Sequence, residues 1–203
     1  MTDKINARFE WALRHARGTK ILDIGFAKNT TGGEYLHKQL VARNPGSLVV
    51  GLDLSERVFN PEMRLGNTVR ANALKMPFKD GSFDAVCLFE MIEHTWEPKH
   101  TIDEVHRVLK KGGKVFLSSP NPYDVIRVLR TISSGRGTLG EETHTMFLCP
   151  ISFKNLFEKS GFVVERMETV IFRIPFARIE VQCVLPWPLK YGGYNQCYVA
   201  RKV

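Results

Sequence analysis

Short apolar runs alternate with amphipathic stretches along the first 120 residues, and this alternation restricts the possible folds more than any other feature. An apolar run of about four to eight residues is typical of a strand that is covered on both faces. Apolar residues spaced three and four apart are typical of a helix that packs on a sheet. Strands that alternate with such helices form βα units and a parallel sheet. We therefore predict an α/β fold with helices on both faces of the sheet.

The pattern predicts seven strands and five helices. The strands are expected at residues 20–25, 47–54, 69–71, 82–89, 114–118, 162–171 and 196–202. The helices are expected at residues 5–16, 33–42, 98–110, 123–132 and 151–159. Between the last two strands, residues 172–193 read as a long apolar connection that contains three prolines. Because the chain has no internal repeat, low-complexity tract or linker, we predict a single domain over residues 1–203.

The net charge of +8 raises the question of a nucleic-acid partner. The charge is spread evenly, however. Residues 1–120 carry 18 basic and 14 acidic side chains, and residues 121–203 carry 11 and 7, so that each part has a charge of +4. No dense basic run appears in either part. Nucleic acid therefore stays open as a partner but is not favoured.

The N-terminus lacks the apolar core of a signal peptide, and no stretch approaches the ~20 apolar residues of a membrane span. We therefore expect a cytoplasmic protein. The four cysteines are scattered, without a CxxC pair and without a histidine at zinc-ligand spacing. The sequence accordingly predicts neither a disulfide framework nor a metal site.

Three features point to a ligand at one edge of the predicted sheet, since ligands of open parallel sheets bind beyond the carboxyl ends of the strands. Gly25 ends the first strand, where a tight turn exposes backbone N–H groups. Asp53 ends the second strand, where a carboxylate can accept both hydroxyls of a ribose. Asn72 and Ala73 follow the third strand, where an amide can hydrogen-bond the edge of an adenine ring. These features predict a ligand that contains a nucleoside.

Six motifs, in order, resemble those of class I S-adenosylmethionine-dependent methyltransferases, and of their type 11 group in particular. They are LDIG at 22–25, GLDLS at 51–55, NALKMPF at 72–78, GSFDAV at 81–86, EH at 93–94 and LKKGG at 109–113. Each motif is weak alone, but six in order are specific. The resemblance is strong over residues 20–120 and weaker beyond them. It implies a Rossmann-like, doubly wound and mostly parallel sheet with the last strand antiparallel, and S-adenosylmethionine as the cofactor.

The resemblance also implies that the residues matching these motifs contact the cofactor in three groups. The methionyl part would lie against Asp23, Gly25, Phe26 and Ala27, the ribose and adenine against Asp53, Leu54, Asn72 and Ala73, and the sulfonium against Phe89 and Glu90. Asp23 would orient the turn or face the ammonium group of the cofactor. Simpler interpretations stay open, because an aspartate in a βα turn or at a strand end can cap the local backbone.

The turn after Gly25 departs from the family pattern. Ala27 stands where the family usually has a second glycine, and the next glycines, Gly32 and Gly33, come later in a longer loop. An alanine is tolerated there if its φ angle is negative. Asn72 stands where the family usually has an acidic residue, and an asparagine can both donate and accept hydrogen bonds to adenine.

Two histidines are candidates for a catalytic role. His94 follows the fourth strand, beside the predicted cofactor, and an imidazole can act as a general base near neutral pH. His144 lies in the second part of the chain, where an acceptor is expected to dock. Each can equally be a loop histidine with a structural role. The other four histidines fall on predicted helices and are expected at the surface: His15, His37, His100 and His106.

The sequence predicts the methyl donor better than the acceptor, because the protein mainly aligns the reacting atoms and excludes water. We expect a methyltransferase for a small-molecule or lipid-like acceptor, with an acceptor side built from residues 1–18, 121–149 and 172–193. The last of these segments is apolar with basic neighbours, which leaves contact with a membrane surface open. The alternatives are an RNA or protein methyltransferase, suggested by the charge, and a non-catalytic cofactor-binding protein, suggested by the altered turn.

Overall fold

The computed structural model describes residues 7–27, 36–56, 67–134, 144–174, 179–185 and 189–203. The helices are α1 (Ala7–His15), α2 (Leu36–Arg43), α3 (Pro98–Val108), α4 (Val125–Ser134) and α5 (Pro150–Lys159). The strands are β1 (Lys20–Ile24), β2 (Leu48–Asp53), β3 (Asn67–Arg70), β4 (Phe83–Phe89), β5 (Leu109–Pro120), β6 (Phe162–Ile174), β7 (Ile179–Val184) and β8 (Asn195–Lys202). Short 3-10 turns lie at Ile92–His94 and Leu189–Tyr191.

The described strands form one sheet in the order β3-β2-β1-β4-β5-β8-β6-β7. Strands β1 to β5 pair in parallel, and β8 lies antiparallel between β5 and β6. The direction of winding reverses between β1 and β4, so a crevice opens at the carboxyl ends of these two strands. The predicted doubly wound α/β fold, with an antiparallel last strand, is confirmed.

The sheet contains eight described strands, one more than the seven predicted. The additional strand, β7, pairs antiparallel with β6 at the edge, inside the predicted connection of residues 172–193. Its sequence, IEVQCV, alternates apolar and polar residues, which is typical of a half-buried edge strand. The prolines near this segment made the alternating pattern hard to recognise, because prolines indicate irregular structure. Residues 175–178 and 186–188 of the same stretch lie outside the described ranges.

Helices cover both faces of the sheet and bury two apolar clusters. On one face, α1 and α2 contribute Leu13 and Leu40, both fully buried. On the other face, α3 contributes Ile102 and Val105 and α5 contributes Phe153, also fully buried. The three-residue spacing of Ile102 and Val105 is therefore the core-facing stripe that the sequence predicts for α3. No helix among the described residues is long and apolar enough to cross a membrane.

Asp84 fastens the start of β4 to two neighbouring segments. Its Oδ2 accepts a hydrogen bond from the backbone N–H of Lys20 at 2.9 Å, and its Oδ1 lies 2.6 Å from Lys110 Nζ. The hydrogen bonds from Lys110 and from the Thr19 hydroxyl lower the pKa of the Asp84 carboxyl. A carboxylate with a lowered pKa in the folded state stabilises the fold above its unfolded pKa of about 3.9.

Asp84→Asn is therefore expected to lower the free energy of unfolding by about 1 kcal/mol at pH 7. The contribution of the carboxylate is lost as the pH falls through the folded-state pKa, so the difference from wild type should shrink below pH ~3.9 and vanish further down. Urea unfolding of both proteins at neutral and acidic pH measures this. A difference of the same size at both pH values would contradict the assigned role of the carboxylate.

Candidate active site

A cleft of about 400 Å³ opens at the carboxyl ends of β1, β2, β3 and β4. Its described walls are Ile24, Gly25, Leu52, Asp53, Leu54, Ala71, Asn72, Ala73, Leu74, Glu90, Met91, His94, Thr95, Trp96 and Glu97. Known sites for small ligands range from about 300 to 1,000 Å³. The cleft therefore has the size of a small-molecule site, at the edge of the sheet that the sequence predicts.

The turn after β1 requires a glycine. Gly25 has a φ angle of +78°, in the left-handed region that favours glycine. A Cβ atom at this position would lie 2.8 Å from the Cγ of Met91, well inside van der Waals contact. The Gly25 N–H donates to the carbonyl oxygen of Leu52 at 2.8 Å, which ties the turn to β2. The bare backbone of the turn thus forms part of the wall of the cleft.

The Asp53 carboxylate combines a structural role with a place at the cleft. Its Oδ2 accepts a hydrogen bond from the Ala27 N–H at 3.0 Å, and its Oδ1 accepts one from the Ser55 N–H at 2.8 Å. The second of these bonds is the local cap that the simpler interpretation expects. A carboxylate has about four lone-pair sites. Both oxygens can therefore still accept hydrogen bonds from ribose hydroxyls.

The predicted adenine contacts line the same cleft beyond Asp53. Leu54 is 63% exposed there, and Asn72 and Ala73 follow β3 on the neighbouring segment. The Asn72 Oδ1 accepts a hydrogen bond from the Leu74 N–H at 2.9 Å, so this side chain also shapes its own turn. The same amide group carries two N–H donors, which suit an acceptor nitrogen of adenine.

Asp23 lines a second, smaller cavity of about 60 Å³, which shares Ile24, Gly25 and Glu90 with the main cleft. Its Oδ2 lies 2.9 Å from the Nδ1 of His37, and both side chains are buried. The expectation that His37 lies at the surface is therefore wrong. The histidine is 2% exposed because its ring pairs with Asp23 and packs against Phe26, with 4.7 Å between ring centroids.

The side chains of Phe26, Ala27 and Phe89 are buried and are not among the walls of the main cleft that the structure describes. Phe26 and Phe89 line the smaller cavity instead. Among the described residues other than glycine, only Glu90 and Ile171 have a positive φ angle. Ala27 thus meets the condition under which an alanine is tolerated in this turn. Gly32 and Gly33 lie outside the described residues.

Glu90 joins the two cavities and has a strained backbone, with a φ angle of +52°. Its Oε1 accepts a hydrogen bond from the Ser118 hydroxyl at 2.9 Å and lies 3.3 Å from Arg8 NH1. Its Oε2 accepts a hydrogen bond from Asn195 Nδ2 at 3.1 Å. Partners from α1, β5 and β8 therefore hold this carboxylate in place. Strain that is maintained in this way is typical of functional sites.

The two candidate catalytic histidines come together, although they are far apart in sequence. The ring centroids of His94 and His144 are 4.8 Å apart, and His94 lines the cleft. The Oε1 of the buried Glu93 lies 4.0 Å from His94 Nε2. The Thr145 N–H donates to the Glu93 carbonyl oxygen at 2.8 Å, so the segment with His144 is tied to the turn with His94.

Several residues of the site were not predicted from the sequence. Trp96 stands at the cleft with 79% of its surface exposed, and Thr95 and Glu97 flank it. Arg8 reaches the smaller cavity from α1. Trp96 lies two residues after the EH motif, and this position is the one sequence signal that could have indicated it. No local pattern marks Arg8.

Known proteins resemble this chain in sequence and in fold. Residues 23–117 match a family described as a methyltransferase domain. A probable S-adenosylmethionine-dependent methyltransferase of Mycolicibacterium smegmatis is 34% identical over 123 residues, which cover 58% of this chain and 44% of that protein. A ubiquinone biosynthesis O-methyltransferase of Azotobacter vinelandii is 34% identical over 127 residues, covering 56% and 50%. The chain thus spans about half the length of the curated relatives it matches.

A solved structure from Thermotoga maritima, described as a methyltransferase that uses S-adenosylmethionine, has a TM-score of 0.69. The match covers 97% of this chain and 88% of that one, and at 17% identity it shows the fold alone. The family match and the names of these relatives support the predicted resemblance to class I S-adenosylmethionine-dependent methyltransferases. The family that residues 23–117 match is the type 11 group, and the name of the relative from Mycolicibacterium smegmatis supports S-adenosylmethionine as the cofactor.

The buried pair of Asp23 and His37 is expected to matter for stability. His37→Leu should lower the free energy of unfolding by about 2–4 kcal/mol, because it leaves a buried carboxyl group without its imidazole partner. Denaturant unfolding measures this. The exposed His100 provides the control, since His100→Leu should change stability by less than about 0.5 kcal/mol. The double variant Asp23→Asn/His37→Leu should recover part of the loss, because burying an amide costs less than burying a carboxylate. If the double variant is no more stable than His37→Leu, the unpaired carboxylate of Asp23 is not the cause of the lost stability.

Proposed function

We propose that this chain transfers the methyl group of S-adenosylmethionine to a small-molecule or lipid-like acceptor. The observation that carries the proposal is the position of Asp53, Asn72 and Glu90 around one cleft at the reversal of strand order. The ribose would bind Asp53, and the adenine would lie between Leu54 and Asn72. The sulfonium would lie near Gly25 and Glu90, where the cleft meets the smaller cavity.

The smaller cavity suits the amino-acid end of the cofactor, which carries one ammonium and one carboxylate group. Asp23 would face the ammonium group, and Arg8 would bind the carboxylate by a charge-assisted hydrogen bond. Gly25 and Glu90 border both cavities, so a cofactor that fills both would have its sulfonium beside them. The Glu90 carboxylate would then lie close to the positive charge of the sulfur.

For methyl transfer, the main task of the protein is to align the reacting atoms. A lone pair of the acceptor attacks the methyl carbon, the carbon–sulfur bond breaks, and its electron pair stays on sulfur to give S-adenosylhomocysteine. Nucleophile, carbon and sulfur must be collinear, and water must be excluded. A hydroxyl acceptor must also lose its proton. The proposed catalytic residues are His94, which lines the cleft, and His144, whose ring centroid lies 4.8 Å from that of His94.

The charge and the apolar residues of the cleft walls favour a small acceptor over a nucleic acid. Asp53, Glu90 and Glu97 line it, and no lysine or arginine appears among its described walls. A polyphosphate backbone would be repelled by such a surface. The exposed Trp96 and Leu54 at the cleft suit an apolar or aromatic acceptor instead. The name of the relative from Azotobacter vinelandii, an O-methyltransferase of ubiquinone biosynthesis, also supports an oxygen atom as the acceptor.

We also propose that residues 1–203 act as one domain whose acceptor side comprises residues 1–18, 121–149 and 172–193. The α4 helix within this side exposes Val128, Leu129 and Ile132 beside two arginines. Such a surface suits a lipid-like acceptor or contact with a membrane surface. Residues 135–143 of the same side lie outside the described ranges.

The proposal is tested by incubating the protein with S-adenosylmethionine labelled on the methyl group and with separate pools of lipid, quinone, sugar, protein and RNA. We expect label in a small-molecule or lipid pool, and none with the Asp53→Ala variant. Label in RNA or protein would support the alternative suggested by the +8 charge. Cofactor binding without label in any pool would contradict methyl transfer to these acceptors and support a non-catalytic cofactor-binding protein.

A further inference from the structure

We propose that Glu93, His94 and His144 bind one divalent transition-metal ion beside the methyl-transfer cleft, with Zn²⁺ as the best fit. Each residue offers one ligand atom, and these atoms all lie within 4.8 Å of one another. The three residues come together only in the folded chain. The spacing of cysteines and histidines in the sequence therefore does not predict this metal site. This inference goes beyond the proposed function, because metal binding can be measured without methyl transfer.

The chemistry of the ligands selects the kind of ion. Two imidazoles and one carboxylate form the protein ligand set of several catalytic zinc sites, in which water or substrate fills the remaining position. The same set also binds ferrous iron in some enzymes. Mg²⁺ and Ca²⁺ prefer sites built from oxygen atoms alone. A site with two histidines therefore favours Zn²⁺ or a similar transition-metal ion.

The distances suit one ion after small movements. Zinc binds nitrogen and carboxylate oxygen at about 2.0–2.2 Å in a tetrahedral arrangement, so two ligand atoms of one ion are about 3.4 Å apart. Glu93 Oε1 and His94 Nε2 are already 4.0 Å apart. The widest separation in the set, at most 4.8 Å, has to shrink by about 1.4 Å, which rotation of the side chains can supply.

Contacts around the three side chains hold them in place. The Thr145 hydroxyl donates to the carbonyl oxygens of Glu93 at 2.9 Å and of Thr95 at 3.0 Å, which fixes the segment beside the turn. The His144 ring packs edge-on against Phe147, with 5.4 Å between centroids. The Arg127 guanidinium in turn lies 4.6 Å from the centre of the Phe147 ring. Such outer contacts typically orient metal ligands and raise metal affinity.

The burial of Glu93 and the position of His94 both favour an ion at this site. Glu93 is 2% exposed, and the attraction between a carboxylate and a cation is stronger away from bulk water. His94 lines the cleft, so an ion on its ring would lie next to the proposed acceptor. A hydroxyl bound to such an ion loses its proton to solvent more easily, and its oxygen keeps the lone pair that attacks the methyl carbon. This catalytic role, unlike the binding itself, rests on the proposed function.

Titration of the metal-free protein tests the site, with Zn²⁺ followed by calorimetry and Co²⁺ by visible absorption. We expect one ion per chain and ligand-field bands of Co²⁺ without the intense charge-transfer band of a thiolate ligand. His144→Gln should lower the affinity for Zn²⁺ at least about tenfold. His100→Gln is the matched control, because His100 is an exposed histidine on α3, and it should bind Zn²⁺ like wild type.

The inference is overturned if wild type takes up no ion, if a thiolate band places Co²⁺ on a cysteine, or if His144→Gln binds Zn²⁺ as tightly as wild type. Retained binding of S-adenosylmethionine shows that His144→Gln is folded; if that variant does not fold, the Co²⁺ spectrum of wild type decides alone. A bound ion without methyl transfer to any pool would contradict the proposed function and leave the metal site standing.

Discussion

Asp53→Ala is expected to weaken the binding of S-adenosylmethionine at least ~100-fold. Two hydrogen bonds from ribose hydroxyls to a carboxylate contribute about 1.5–3 kcal/mol each, and 1.4 kcal/mol corresponds to a factor of ten. The substitution also removes the acceptor of the Ala27 N–H, so the glycine turn loses a tie to β2. Equilibrium dialysis with labelled S-adenosylmethionine measures the change in affinity.

Two further variants separate the ribose contact from a general loss of structure. Asp103→Ala removes an exposed carboxylate that pairs with Lys99 on α3 and is not among the described walls of the cleft, so it should leave the affinity unchanged. Asp53→Asn keeps the shape and one acceptor oxygen, so its affinity should fall between those of wild type and Asp53→Ala. A folded Asp53→Ala protein that binds within ~threefold of wild type would show that the ribose lies elsewhere.

Gly25→Ala is expected to lower the free energy of unfolding by about 2–4 kcal/mol and to abolish cofactor binding. The left-handed backbone costs an L residue about 1–2 kcal/mol, and overpacking typically costs another 1–3 kcal/mol. The overpacking arises because the new Cβ would lie 2.8 Å from Met91 Cγ, so the cleft wall must move. Denaturant unfolding and calorimetry with S-adenosylmethionine measure the two effects.

Gly46→Ala is the matched control for this substitution. Gly46 has a φ angle of +82°, close to that of Gly25, but nothing lies within 4 Å of the position of its Cβ. It therefore carries the backbone cost without the contact to Met91 and should leave cofactor binding intact. Equal losses of stability in the two variants would show that the close approach at Gly25 has no energetic effect.

The parts of the fold that local patterns determine were predictable from the sequence. The apolar run before Asp53 can bury both faces of a central strand, and the spacing of Ile102 and Val105 gives α3 one buried stripe. The positions of Gly25 and Asp53 at strand ends then place both at one edge of the sheet, because parallel strands share their direction. The sequence motifs accordingly indicated several residues of the cleft, including Gly25, Asp53 and Asn72.

The remaining features depend on contacts between distant segments. His37 follows a helical pattern, yet its burial depends on Asp23, which lies on a different element. Glu90 is held by residues of α1, β5 and β8, and no local signal connects these three elements. His94 and His144 meet only because Thr145 ties one loop to the other. These contacts between distant segments were therefore the part of the site that sequence reasoning described least.

Calorimetric titration of the wild-type chain with S-adenosylhomocysteine tests most directly whether the cleft is a cofactor site. This product keeps the adenine, the ribose and the amino-acid end, and so it retains every contact proposed for Asp53, Asn72, Asp23 and Arg8. We expect saturable binding of one molecule per chain, well below ~1 mM. Absence of binding up to ~1 mM would contradict the assignment of the cleft and, with it, the proposed methyl transfer.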